Sequence, residues 1–203
     1  DDLYRGGLNR NHFLPFIALL KERVEVVRLA ARTDYRQEKI GKAPVYLTPL
    51  GPEADSALDA AWLQLTQTSH GEPSTLAVLG RDVVVPQAMD GVARFDFADL
   101  CGKPLGASDF LAVAHAFHTV LIDHIPVMDD SRRNEAKRFI TLIDALYDGH
   151  VRIIVSAAAE PDHLYLAETG TEAFEFARTA SRLTEMRSEE YLLQVHRGFI
   201  VET

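Results

Sequence analysis

The sequence has little cysteine and no long apolar run, and each absence excludes a class of protein. Cys101 is the single cysteine in 203 residues, so neither an internal disulfide nor a thiolate metal cage can form. No apolar stretch approaches the roughly 20 residues that span a bilayer, and no signal peptide is recognisable at the N-terminus. We therefore expect a cytoplasmic protein.

Positive charge is also scarce. Lysine and arginine number 21 against 30 aspartates and glutamates, a net charge of −9, and no more than two basic residues stand side by side. Proteins that bind a nucleic-acid backbone carry a net basic domain or a dense basic stripe, so we expect no nucleic-acid partner. Hydrophobic residues at 47% and charged residues at 25% are typical of a soluble globular protein.

The common phosphate-binding and nucleophile motifs are missing as well. Neither Gly41-Lys42 nor Gly102-Lys103 has a glycine five residues upstream or a following serine or threonine, so the sequence contains no Walker A loop. It also lacks a G-x-G-x-x-G fingerprint and a G-x-S-x-G elbow. A dinucleotide enzyme and a serine hydrolase therefore have no support.

The spacing of apolar residues predicts an α/β fold. Helical stripes predict helices near 10–22, 54–65 and 108–117, the last beginning at a Ser108-Asp109 cap. A β-branched run predicts a strand at 24–29, and an irregular connection follows at 30–52. Between 76 and 97 the pattern predicts a small antiparallel β region, with Gly80-Arg81 as a hairpin turn.

A βαβ unit is predicted further along the chain. Two apolar strands, 119–123 and 151–155, flank a helical stripe at 134–147, so part of the sheet is expected to be parallel. Asp123 and Ser156 end the two strands, where P-loop enzymes place a magnesium-binding or water-orienting group. Because no phosphate loop accompanies them, we favour a sheet that keeps only the architecture of such an enzyme.

Three histidines and the cysteine receive ordinary structural interpretations. His115, His118 and His124 lie near Asp123, but their spacing matches no zinc signature, so we interpret them as surface or core histidines and expect no metal site. Cys101 has no basic neighbour closer than Lys103, which favours a buried structural thiol over a nucleophile.

Four blocks carry a resemblance to a known family: 1–17 (DDLYRGGLNRNHFLPFI), 97–109 (FADLCGKPLGASD), 138–147 (RFITLIDALY) and 177–192, which contains ARTASRLTEMRSEEYL. Together they resemble the ZapE family of AAA-type ATPases, also called the ATPase-family-gene-one-like family. The resemblance implies a partial P-loop (AAA-type) core at 1–36, an irregular connection with a helix at 37–75, and an α/β C-terminal region at 76–203. It also implies that the phosphate loop, the Walker B pair and the sensor-1 asparagine lie upstream of Asp1.

The resemblance assigns roles to individual arginines. Arg10 matches the arginine finger that reaches, in trans, the γ-phosphate held by a neighbouring subunit, and Arg5 is the second candidate. A guanidinium suits this role because its charged fork matches phosphate oxygens. The alternative for Arg10 is a helix-surface arginine paired with an acid. Arg182 resembles a sensor-2 arginine that contacts the nucleotide, with Arg178 as a competitor.

The function implied by the resemblance is ATP hydrolysis, with ATP and Mg²⁺ bound by the full-length protein and not by this piece alone. The active form would be a homo-oligomeric ring that remodels protein partners, among them the FtsZ division ring in bacteria or subunits of mitochondrial membrane complexes. The alternative is a non-catalytic protein-binding module derived from a P-loop core. The recurrence of 1–4 (DDLY) as 162–165 (DHLY) motivates the hypothesis that the C-terminal half is a decayed copy of that core.

Overall fold

Short apolar strands alternate with helices and build one mixed sheet with helices on both faces. A computed structural model describes residues 44–167, 170–193 and 195. The predictions for 1–36, including the helix near 10–22, the strand at 24–29 and both arginines Arg5 and Arg10, lie outside the described residues. The elements in chain order are β1 (Tyr46–Leu47), α1 (Pro52–Thr66), β2 (Glu72–Val78), β3 (Arg81–Met89), β4 (Val92–Asp96), α2 (Phe97–Leu100), α3 (Ala107–Ala116), β5 (Thr119–Ile125), a 3₁₀ turn (Asp130–Arg132), α4 (Arg133–Asp148), β6 (Arg152–Ala157), a second 3₁₀ turn (Pro161–His163) and α5 (Thr171–Met186).

The strand order β1-β6-β5-β4-β3-β2 combines a parallel half with an antiparallel half. Strands β1, β6, β5 and β4 are parallel, whereas β3 and β2 continue the sheet as antiparallel neighbours. The predicted βαβ unit is confirmed as β5, α4 and β6, with Val120 opposite Ile153 in parallel register. The α/β class and the antiparallel β region are likewise as predicted.

Two tight hairpins join the antiparallel strands, and only one was predicted. The first turn consists of Leu79-Gly80 and not Gly80-Arg81: both residues have positive φ, 49° and 81°, and Val78 pairs with Arg81. Two positive φ values are typical of the primed turns that match the right-handed twist of the flanking strands. Because Arg81 already pairs with Val78, the turn lies one residue earlier than predicted. The second turn, Asp90-Gly91, has φ values of 49° and 75°.

Apolar side chains pack on both faces of the sheet. On one face, α3, α4 and α5 cover strand residues such as Val120 and Ile122. On the other face, α1 sets Leu58 and Trp62 against Leu121 of β5. Alternation of side chains along each strand supplies both layers from one apolar run. No helix within the described ranges is long and apolar enough to cross a membrane.

Two local features near α3 bear on the predictions. Helix α3 begins at Ala107 after Gly106, so the predicted Ser108-Asp109 cap is wrong. Asp109 instead sits in the first turn, where its Oδ2 accepts a hydrogen bond from the Gly106 amide at 2.8 Å, and it also forms an ion pair with Arg81 of the hairpin. Cys101 is fully buried, and burial raises the pKa of its thiol, as expected for a structural cysteine.

Candidate functional site

Charged side chains gather at the carboxyl ends of β4 and β5. Parallel strands end at the same edge of a sheet, and in α/β proteins ligands bind outside that edge. Helix α1 brings acidic side chains from its first two turns to the same place. We call this group the carboxyl-edge cluster; its members are Asp55, Asp59, Arg94, Asp96, Asp123 and His124.

Arg94 is the centre of the cluster. Its Nε and Nη2 donate to the two carboxylate oxygens of Asp123 at 2.7 and 2.8 Å, and its Nη1 donates to Asp59 at 2.6 Å. Hydrogen bonding to Asp123 raises the pKa of the Arg94 guanidinium above its usual range. Only 14% of the Arg94 side chain and 10% of the Asp123 side chain are exposed, so this bidentate pair is largely removed from water.

The register of the sheet brings these groups together. Arg94 lies opposite Leu121 and Asp96 lies opposite Asp123, which puts Arg94 and Asp123 on the face covered by α1. The acidic first turn of α1 suits a helix N-terminus, where the backbone dipole favours negative charge. The cluster therefore joins α1 to two strands through charge.

His124 occupies a β-bulge at the end of β5. Its φ of 59° accompanies a shift of register between Ile122 and Ile125. The ring bridges two carboxylates, with Nδ1 at 2.7 Å from Asp96 and Nε2 at 3.2 Å from Asp55. The hydrogen bond to Asp96 is the main reason that the pKa of His124 is raised above its ordinary value.

The two strand-end residues singled out in the sequence are both engaged in internal contacts. Both oxygens of Asp123 accept from Arg94, and the Oγ of Ser156 accepts from the His124 amide at 2.9 Å. A triphosphate placed here would face the carboxylates of Asp55, Asp59 and Asp96. This edge therefore does not fit the triphosphate of ATP, and its ion pairs join α1 to the sheet instead.

The histidines near Asp123 are not brought together. His115 is exposed on α3, and His118 donates from Nε2 to the Asp90 carbonyl at 3.0 Å. Burial is the main cause of the lowered pKa of His118. Within the part of the chain that the structure describes, no group of three or more His, Cys, Asp or Glu residues is placed to hold a metal ion.

Arg182 lies on α5 and braces that helix against α4. Its Nη1 pairs with Asp144 and its Nη2 lies 3.4 Å from Asp148, while its Cζ sits 4.7 Å above the ring of Tyr147. The neighbouring candidate, Arg178, also bonds to Asp144, at 2.7 Å. The sensor-2 role of Arg182 stays a prediction, because the sequence has no Walker A loop with which its position can be compared.

Sequence reasoning identified Asp123 but missed its partner Arg94, which lies 29 positions away along the chain. It also missed Asp59, which pairs with the same arginine, and only the fold brings these residues together. A usable signal was present in β4, where Arg94 and Asp96 alternate with apolar residues at the spacing of one strand face. The Asp90-Gly91 hairpin was also recognisable from its dipeptide.

The fold and the carboxyl-edge cluster together define an α/β domain in which ion pairs occupy the carboxyl ends of strands in a mixed sheet. The chain belongs to the AFG1-like ATPase family, whose model matches residues 1–195. It is 36% identical over 196 residues to the cell division protein ZapE of Escherichia coli K12, covering 97% of this chain and 52% of that protein. It is 34% identical over 231 residues to lactation elevated protein 1 homolog B of Danio rerio, covering 98% and 46%. The chain thus spans about half the length of these relatives. No solved structure matches it.

Proposed function

We propose that this chain is the C-terminal part of an ATP hydrolase that works as a homo-oligomeric ring in the cytoplasm and remodels protein partners during bacterial cell division. The observation that carries the proposal is the family match over 1–195, supported by the similarity to a protein named for cell division. The FtsZ ring is the partner that this reading favours. The chain spans about half of its relatives, and in this proposal ATP and Mg²⁺ are bound by the full-length protein.

Arg10 is the residue through which this chain would take part in hydrolysis. Charge builds up on the γ-phosphate during phosphoryl transfer, and an arginine supplied by a neighbouring subunit stabilises that charge. The guanidinium is always protonated and presents a planar fork that matches phosphate oxygens. In this proposal Arg10 makes the contact, Arg5 is the second candidate, and Arg182 acts within its own subunit.

Apart from Arg182, the described region would contribute no residue to the nucleotide site. Its carboxyl edge, the usual place for a nucleotide in a parallel sheet, is occupied by the Arg94–Asp123 pair and the surrounding carboxylates. The same observation supports a second candidate function, a non-catalytic module that binds proteins through a core derived from a P-loop fold. The two functions differ in whether the full-length protein hydrolyses ATP.

The test is the steady-state ATPase rate of the full-length protein as a function of its concentration, for wild type and for Arg10→Ala and Arg5→Ala. A trans-acting arginine predicts a rate per subunit that rises with concentration and falls by about 10³-fold or more in Arg10→Ala while ATP binding persists. Arg132→Ala is the matched control, because Arg132 is half-exposed and its nearest ion-pair partner, Glu135, is 3.6 Å away.

The outcomes distinguish Arg10 from Arg5 as the arginine finger, and the ATP hydrolase from the non-catalytic binding module. If Arg10→Ala retains the wild-type rate and Arg5→Ala loses it, the finger is Arg5. If neither substitution changes the rate, no finger lies among these residues. A full-length wild type that shows no turnover at any concentration leaves the binding module as the function.

A further inference from the structure

Four charged side chains within the described ranges are buried, and one of them has no counter-charge there. Asp109, Asp123 and Glu172 each form an ion pair with an arginine. Arg152 is 5% exposed, and neither its Nε nor its Nη1 has a hydrogen-bond partner. Buried polar groups in folded proteins are nearly always paired, so the missing partner of Arg152 requires an explanation.

The Arg152 guanidinium keeps its positive charge in this position. Burial lowers its pKa, but an arginine side chain stays protonated in proteins. A charge that is removed from water without a partner is strongly unfavourable. A water molecule can accept hydrogen bonds from Nε and Nη1 but cannot neutralise the charge. A negatively charged acceptor offsets both costs.

Arg152 lies at the amino end of the parallel strands, opposite to the carboxyl-edge cluster. It is the first residue of β6 and pairs in register with Thr119, the first residue of β5. Alternation along the strand puts it on the same face as Ile154, the face that α1 covers. The residues at 148–150, just before the strand, are exposed, so this end of the sheet is close to solvent.

The layer between α1 and the sheet contains unpaired side-chain donors. Trp62 of α1 is fully buried in this layer, and its indole Nε1 also lacks a partner. The buried side-chain acceptor without a hydrogen bond among the described residues, Oε2 of Glu135, belongs to α4 on the other face. This layer therefore lacks an acceptor, and an acceptor with negative charge suits Arg152.

The charge of Arg152 acts on a neighbouring histidine. The backbone amide of Arg152 donates to the His118 carbonyl at 3.0 Å, so the two residues are adjacent where β5 and β6 begin. Burial is the main cause of the lowered pKa of His118, and the positive charge of Arg152 lowers it further. Within the described part of the chain, no group at this end of the sheet neutralises that charge.

We propose that Arg152 is an anion-binding residue and that its ligand is a small oxyanion, of the phosphate or carboxylate class, taken from solution at the amino end of β6. Two oxygens of such an anion match the fork of N–H groups on a guanidinium. The site is independent of the proposed ATP hydrolysis, because parallel sheets bind nucleotides at the opposite, carboxyl end of their strands.

Phosphate-dependent unfolding of the 203-residue chain tests the site. The sequence has no Walker A loop, so such a loop cannot cause the response. Urea unfolding is followed through Trp62 fluorescence at increasing phosphate concentration, with chloride holding the ionic strength constant. Above the dissociation constant, each tenfold rise in phosphate should lower the unfolding equilibrium constant of the wild type about tenfold. A response to acetate alone would support the site and identify its ligand as a carboxylate.

Arg152→Met should lose this response and should be more stable than the wild type in phosphate-free buffer, because it removes an uncompensated charge. Phosphate also stabilises proteins by its exclusion from their surfaces, and the response that remains in Arg152→Met measures this general effect. Arg132→Met is the control, because Arg132 is half-exposed and the response should persist without it.

Two results with these variants would contradict the proposal. Equal responses of Arg152→Met and wild type would show that phosphate acts elsewhere. An Arg152→Met variant that is less stable than wild type in phosphate-free buffer would show that a carboxylate of the chain itself already pairs with Arg152.

Titration of His118 tests the location of the anion without any variant. The NMR signals of its imidazole report its pKa in the folded wild type, with and without phosphate. An anion at Arg152 should raise the pKa of His118, because it cancels the positive charge that lowers it. An unchanged pKa at a phosphate concentration that stabilises the wild type would overturn the site.

Discussion

Two arginines on one face of the sheet have opposite electrostatic surroundings. Arg94, near the carboxyl end of β4, makes three hydrogen bonds to Asp123 and Asp59. Arg152 begins β6 at the other end of the sheet, is 5% exposed, and has no partner for Nε or Nη1 among the described residues. Hydrogen bonding raises the pKa of Arg94, whereas burial lowers the pKa of Arg152.

The difference shows that burial alone does not define the role of a charged residue. Removing a guanidinium from water costs several kcal/mol, and only well-placed carboxylates offset that cost. At Arg94 the β4–β5 register and α1 supply them. At Arg152, the register places Thr119 alongside. Among the described residues, Arg94 therefore has the carboxylates that offset the cost of its burial, whereas the Nε and Nη1 atoms of Arg152 have none.

The largest expected effect on the free energy of unfolding is that of removing Arg94. Arg94→Met leaves Asp123, which is 7% exposed, without its bidentate partner and should lower the free energy of unfolding by about 3–5 kcal/mol. Urea unfolding followed by the fluorescence of Trp62, the single tryptophan, measures it. Adding Asp123→Leu should restore most of the loss. A cost below about 1 kcal/mol for the single variant would show that the pair contributes little.

Removal of Arg152 should change the free energy of unfolding by less, and in the opposite direction. Arg152→Met removes a buried charge and keeps the volume and the apolar stem, so it should raise the free energy of unfolding by about 1 kcal/mol or more. The same urea titration applies, with the half-exposed Arg132→Met as the control, which should change it by less than about 0.5 kcal/mol. A destabilised Arg152→Met would mean that a counter-ion reaches this guanidinium, and the contrast between the two arginines would disappear.

The smallest expected effect is the pH dependence that His124 gives to the free energy of unfolding. His124 has a pKa raised above 6.5 in the folded state, so its stabilising contribution is complete below about pH 6.5 and is lost as the pH rises through the folded value. His124→Gln should therefore be less stable than wild type at pH 5.5 and close to it at pH 8.5. The side chain is 49% exposed, which limits the difference to under about 1 kcal/mol. Unfolding curves at both pH values test this, and a gap that does not narrow at high pH would exclude protonation as its source.

The periodicity of apolar residues was sufficient to predict the strands and helices but not the contacts between them. The strands at 119–123 and 151–155 and the helix between them were predictable because each carries a continuous apolar run or a clear stripe. The position of Asp123 at a strand end followed from the same run. Its ion pair with Arg94 did not, because cross-strand partners depend on sheet order and register.

Arg152 shows the same limit more sharply. As the first polar residue of an apolar run, it would be expected at an open strand end, whereas in the fold it is nearly as buried as Ile154. The Leu79-Gly80 turn was misplaced by one residue for a related reason: glycine marked the turn, but only pairing of Val78 with Arg81 fixes which residue precedes it.

The closed carboxyl edge also restricts what evolution can do with this region. Asp55, Asp59, Asp96 and Asp123 share two basic side chains, so a mutation that removes either one leaves several carboxylates facing each other. Phosphate binding at this edge would require acidic residues of the cluster to be replaced, because their carboxylates repel a phosphate. An evolutionary route from this sheet to a nucleotide-binding one would therefore have to remove negative charge at this edge.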